Sequence, residues 1–110
     1  MGRWAQAARR GGGPRVVSGP GAPPAPTLVA EDNVVTQTTG GTGDSGGLVR
    51  LYRGDDGVTF PTLVNEQPYF SPYIWGPVEE LQGYWYAATE VGNGVDYAGE
   101  SALSGGIDLT

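Results

Sequence analysis

From Pro26 to the C-terminus no apolar run lasts long enough for a helix, and every run is short, β-rich and closed by Gly, Pro, Asp or Asn. That punctuation constrains the fold most. GLVRLYR, Gly47 to Arg53, sets Val49 and Leu51 against Arg50 and Tyr52, and a period of two means a strand with one face in a core. PTLVAED (Pro26 to Asp32) and NVVTQTT (Asn33 to Thr39) are rich in Val, Leu and Thr. VTFPTLV (Val58 to Val64) follows a hairpin, and YFSPYIW (Tyr69 to Trp75) contains Pro72 and so belongs at a sheet edge. GYWYAATEV (Gly83 to Val91) puts Tyr84, Tyr86 and Ala88 on one face, and GGIDLT ends the chain with Ile107 and Leu109 in alternation. Such a pattern predicts an all-β fold, an antiparallel seven-stranded β-sandwich over residues 26–110, with Val49, Leu51, Tyr84, Tyr86, Ile107 and Leu109 in its core.

The 110 residues contain no cysteine, so packing alone must hold this core, and thiolate chemistry is excluded. They also contain no histidine, and all six basic residues are arginines. These absences decide the fate of GDSGG, Gly43 to Gly47, which has the sequence around a trypsin-like nucleophile. A serine hydroxyl needs a neighbouring base, and Ser45 has neither a histidine nor a lysine to serve it. TTGGTGDSGG, Thr38 to Gly47, is therefore expected to be a glycine-rich connection between strands. Asp55, Asp56 and Glu66, or Glu79 and Glu80, lack metal-loop spacing and are expected as solvated acidic surface. No catalytic residue, metal or cofactor is expected, and the chain is predicted to be a non-enzyme.

Charge divides the sequence. Residues 1–25 hold Arg3, Arg9, Arg10 and Arg15 and no acid, a side-chain charge of +4, whereas residues 26–110 set two arginines against twelve acids, a net −10. An acidic body does not bind a phosphate backbone, so nucleic acid is expected to touch the arm at most. Gly2 to Arg10 has the length of about two helical turns, marginal in isolation, and the Gly- and Pro-rich stretch from Gly11 to Pro26 is predicted to be an extended tether. Arg3, Trp4, Arg9, Arg10 and Arg15 are the candidate assembly anchor, pairing with other protein subunits. A disordered leader or a cloning remnant is the bland alternative. Neither a secretory signal nor a membrane-inserting segment is expected.

LYRGDDGVTFPTLV resembles the C strand, C–C′ hairpin and C′ strand of fibronectin type III domains, and YWYAATEV followed by YAGESALSGGIDLT resembles their F and G strands. The resemblance spans about residues 26–110 and implies a type III or closely related immunoglobulin-like sandwich. It makes Tyr84, three residues after Leu81, the candidate for the buried corner tyrosine. The tryptophan usual on strand B is missing, with Thr36 and Gln37 in its neighbourhood, so Trp75 or Trp85 is expected to fill that space. Glu90 falls where a small apolar residue is usual. Arg53-Gly54-Asp55 falls on the C–C′ turn rather than on the F–G loop where fibronectin displays this tripeptide, and it is expected to be turn chemistry.

An arm joined to such a domain resembles the small bacteriophage virion proteins, of capsids or tails, that carry type III or immunoglobulin-like domains. This implies a structural or decorating role in a virion assembled in the host cytoplasm. The alternative is a free carbohydrate- or protein-binding module that contacts a host-surface glycan or protein through Tyr69, Tyr73 and Trp75.

Overall fold

A computed structural model of the protein describes residues 21–38 and 46–110. The anchor candidates Arg3, Trp4, Arg9, Arg10 and Arg15, and Ser45 of the glycine-rich connection, lie outside the described residues. The described chain is mostly β. Its elements are β1 (Thr27–Glu31), β2 (Val34–Thr38), β3 (Leu48–Gly54), β4 (Thr62–Pro68), β5 (Tyr73–Pro77), α1 (Val78–Leu81), β6 (Trp85–Val91) and β7 (Ile107–Asp108). They form two antiparallel sheets, ordered β1-β2-β5 and β4-β3-β6-β7.

Local chemistry sets the connections. Glu31 pairs with Val34, which leaves Asp32 and Asn33 as a two-residue turn at φ 53° and 64°. Asp and Asn tolerate this left-handed region better than other side-chain-bearing residues, and such a turn matches the twist of the strands it joins. The β3–β4 connection is longer. Asp56 Oδ1 accepts the backbone N–H groups of Val58 (2.9 Å) and Thr59 (2.8 Å), so the strand expected from Val58 begins only at Thr62 and extends to Pro68. Val58 and Thr59 belong to the turn because a carboxylate claims the N–H groups that a ladder would need. Likewise β5 starts at Tyr73, after Pro72 rather than across it, and it is an edge strand as expected. The single helical turn α1 is too short to show a helical period in the sequence.

Both sheets feed one core: Leu28 and Val35 from β1 and β2, Trp75 from β5, Val49 and Leu51 from β3, Tyr86 and Ala88 from β6, and Leu109. Val35, Val49 and Leu51 are at most 1 % exposed. Burying an aliphatic side chain of this size contributes about 1.5–3 kcal/mol. Four of the six expected core residues, Val49, Leu51, Tyr86 and Leu109, are buried.

Tyr84 and Ile107 are corrected to half-buried residues packed against the core's rim. Tyr84 precedes the first residue of β6, so its ring lies past the end of the strand, edge-on to Tyr86 at 6.4 Å. Ile107 faces Tyr86 from a two-residue edge strand, with no further strand beyond it in the sheet order to cover it.

Trp75 is buried in the core. Its Nε1–H donates to Gln37 Oε1 (2.9 Å), and Gln37 Nε2–H donates to the Thr89 carbonyl (3.2 Å), so one buried amide of β2 satisfies an indole of its own sheet and ties it to the other. A buried amide without these partners would cost about 1–3 kcal/mol.

Candidate functional site

Alternation along β6 sends Tyr86 and Ala88 into the shared core and Ala87 and Thr89 to the opposite, outer face of the four-stranded sheet. Yet Ala87 is 0 % and Thr89 2 % exposed. Two pieces of non-repetitive chain cover them. The first is the β3–β4 loop, which brings the Phe60 ring over the outer face. Gly57, at φ +75°, lies so close to Trp85 that a Cβ there would stand 2.9 Å from the indole, and a Cβ on Gly106 would stand 2.9 Å from the Phe60 ring. Only glycine accepts these approaches without displacement.

The second piece is the stretch 99–106, which runs beside β6 as an irregular strand. Ser101 N–H donates to the Glu90 carbonyl and Ser104 N–H to the Ala88 carbonyl, both at 2.8 Å. In return the Ser104 hydroxyl accepts the Ala88 N–H (2.9 Å) and the Ser101 hydroxyl accepts the Glu90 N–H (3.0 Å). Two hydroxyls thus stand in for strand carbonyls. Glu90 itself is buried on the inner face, a carboxylate where a small apolar side chain was expected.

Between these covers lies a shallow cleft of about 200 Å³, lined by Tyr52, Phe60, Thr89, Glu100, Ser101 and Leu103. The rings and Leu103 form its apolar side, and one carboxylate dominates its polar side. Glu100 Oε2 accepts the hydroxyls of Thr89 (2.6 Å) and Tyr52, while Arg50 Nη1 pairs with Glu100 Oε1 (3.1 Å). The same guanidinium binds Glu66 Oε2 through Nε (2.5 Å), its partner across the β3–β4 ladder. Burial pushes the Glu100 carboxyl up, but the Thr89 and Tyr52 hydroxyls and the Arg50 charge outweigh it and hold the group below its ordinary value. The hydrogen bond to Glu66 raises Arg50, against the opposing effect of burial, and burial together with Glu100 raises the Tyr52 phenol. Glu100 is therefore a fixed anion with three donors, suited to holding a cation rather than to moving a proton.

The expected contact aromatics lie elsewhere and do not form an exposed surface. Trp75 is buried in the core, and the half-buried Tyr73 ring packs against it at 4.6 Å, tilted by 60°. Tyr69 is half-buried as well, with its hydroxyl buried and without a hydrogen-bond partner among the described residues. Strand parity turns Tyr73 and Trp75 inward together and leaves Ile74, 55 % exposed, on the outside. Arg53 and Gly54 are occupied locally, and Asp55 is exposed. The Arg53 guanidinium sits 4.2 Å above the Tyr84 ring, and Gly54 is buried where a Cβ would collide with the Thr59 carbonyl.

No group of three or more Asp or Glu converges on a metal-sized site among the described residues. No helix among them is long and apolar enough to cross a membrane. The cleft itself was missed because Arg50, Glu66 and Glu100 are far apart in sequence. The one signal available was the alternation that sends Arg50 and Tyr52 outward together. Comparison of the chain with protein-family models, with curated proteins and with solved structures finds no match.

Proposed function

We propose that residues 26–110 form a seven-stranded β-sandwich of the fibronectin type III or closely related immunoglobulin-like kind, and that the chain is a non-enzymatic structural or decorating protein of a larger assembly. A bacteriophage virion, capsid or tail, is the assembly that the architecture resembles. Support for the fold type comes from the strand orders β1-β2-β5 and β4-β3-β6-β7. In them β3 pairs with β4 and β6 lies between β3 and β7, the neighbours that a C–C′ hairpin flanked by F and G strands would have. Fold alone does not assign a role.

The observation that carries the role is the charge division, +4 in residues 1–25 against −10 in the rest. A tether rich in arginine, with Trp4 as an apolar anchor, suits attachment to carboxylates on neighbouring subunits, and a free module has no need of it. The non-catalytic part rests on the absence of histidine, lysine and cysteine and on a cleft whose carboxylate is held ionised. The competing role, a free binding module acting through Tyr69, Tyr73 and Trp75, has less support because those rings pack inward.

Deletion of residues 1–20, which spares the buried Pro23 and the Gly21 carbonyl bonded to Ala98 N–H, tests the role. The truncated chain is expected to fold and to be absent from the particle or complex with which the full chain purifies, as read by native mass. Trp4→Ala with Arg9→Ala and Arg10→Ala is expected to weaken joining in proportion to salt. Incorporation of the truncated chain at full occupancy places attachment on the folded domain and ends this proposal.

A further inference from the structure

The outer cleft has an apolar rim, Phe60 and Leu103, beside a group of three charges, Arg50, Glu66 and Glu100, that sums to −1. One more cation would balance it. An arginine meets that need best, because its planar fork binds carboxylates and its stem lies well on an aromatic face.

The chain carries such cations just ahead of Gly21 in the sequence. Gly21, the first described residue, accepts a hydrogen bond through its carbonyl from Ala98 N–H (2.9 Å), and Ala98 is two residues before Glu100. Gly21 is therefore tied to the chain that leads into the cleft at Glu100. Residues 1–20 contain four arginines and no acid, and Arg15 is the nearest of them, followed by Val16 and Val17. From Gly21 to Arg15 the chain reaches about 20 Å, at ~3.3 Å per residue, and the shortest loop costs least entropy to close.

We infer that the Phe60–Glu100 cleft is the docking site of the chain's own basic segment, with the Arg15 guanidinium paired to Glu100 and Glu66 and the following valines against Phe60 and Leu103. The occupant is a cationic peptide with an apolar neighbour, supplied in the same molecule. Docking holds the segment against its own domain until a neighbour takes it. This goes beyond the anchoring role and stands or fails on the isolated chain.

The test uses the full chain, in which Gly13→Cys provides the only thiol for a nitroxide label. Amide resonances of Phe60, Ser101 and Leu103 are expected to broaden selectively in an isotopically enriched, labelled sample. Loss of one charge-assisted pair, by Glu100→Gln or separately by Arg15→Gln, lowers the ratio of docked to undocked chains roughly tenfold and restores those peaks. High salt does the same. Glu100→Gln keeps the side chain's shape, and Arg15→Gln leaves every described residue unchanged, so at least one variant reports on a folded domain. A broadening pattern unchanged by both substitutions overturns the docking site. Broadening that also appears when labelled, unenriched chain is mixed with unlabelled, enriched chain makes a second copy the occupant and overturns the intramolecular inference.

Discussion

The two faces of β6 bury neighbouring residues by different means. On the inner face Tyr86 and Ala88 meet residues of the opposite sheet, and burial comes from apolar side chains brought together over long sequence distances. On the outer face Ala87 and Thr89 are as well buried, but their cover is one loop and one irregular segment, held by serine hydroxyls, close-approaching glycines and a carboxylate with three donors. The inner face is therefore sensitive to lost volume. The outer face is sensitive to charge state and to single polar groups.

The comparison breaks first at the tyrosines. Tyr86→Ala is expected to cost on the order of 3–4 kcal/mol, as buried aromatics do, with the denaturant midpoint lowered and the slope of the transition kept. Tyr84→Ala, on the half-buried rim, is expected to cost about 1–2 kcal/mol, including the loss of its cation–π contact with Arg53. Equal losses in equilibrium urea unfolding would show that Tyr84 belongs to the core after all.

A smaller effect tests the polar tie across the core. Gln37→Ala strands the buried Trp75 Nε1–H and removes the donor to Thr89, at an expected cost of about 2–3 kcal/mol. Trp75→Phe in that background removes the stranded donor and is expected to recover part of the loss, a non-additivity that a double-mutant cycle measures. Strict additivity would mean that the amide serves the two groups independently.

The smallest expected effect belongs to the outer face. Glu100 is held below its ordinary value, so its contribution is complete above the ordinary glutamate pKa of about 4.3 and is lost as pH falls through its depressed folded value. Thermal midpoints of the wild type and Glu100→Gln should therefore converge as pH drops from about 6 to about 3. Asp56 and Asp108, also held low by hydrogen bonds from Thr59 and Thr110, titrate in both proteins and cancel from the difference. A difference that stays constant with pH would separate Glu100 from the stability of the cleft.

What was legible in the sequence followed from parity and punctuation. Val49 and Leu51 alternate with Arg50 and Tyr52, so their burial needed no knowledge of partners. Tyr84 and Tyr86 share a parity, and only the start of β6 at Trp85 tells the rim residue from the core residue. Tyr73, Ile74 and Trp75 are all apolar, so parity there has no contrast to read, and only the core's demand for a large ring on β5 turns Trp75 inward. The cleft was out of reach because Arg50, Glu66 and Glu100 meet only once β4 and the 99–106 stretch flank β3 and β6.

The serine hydroxyls at 101 and 104 have one more consequence. A strand lying beside an incompletely paired edge offers N–H groups that a second chain can adopt, the usual start of edge-to-edge aggregation. Along β6, beyond the two residues of β7, Ser101 and Ser104 occupy the Glu90 and Ala88 N–H groups with side-chain oxygens, while their own N–H groups take the matching carbonyls. No foreign strand can enter that register without first displacing four hydrogen bonds. The least regular stretch of the domain therefore closes this margin of the sheet to β-addition by a second chain.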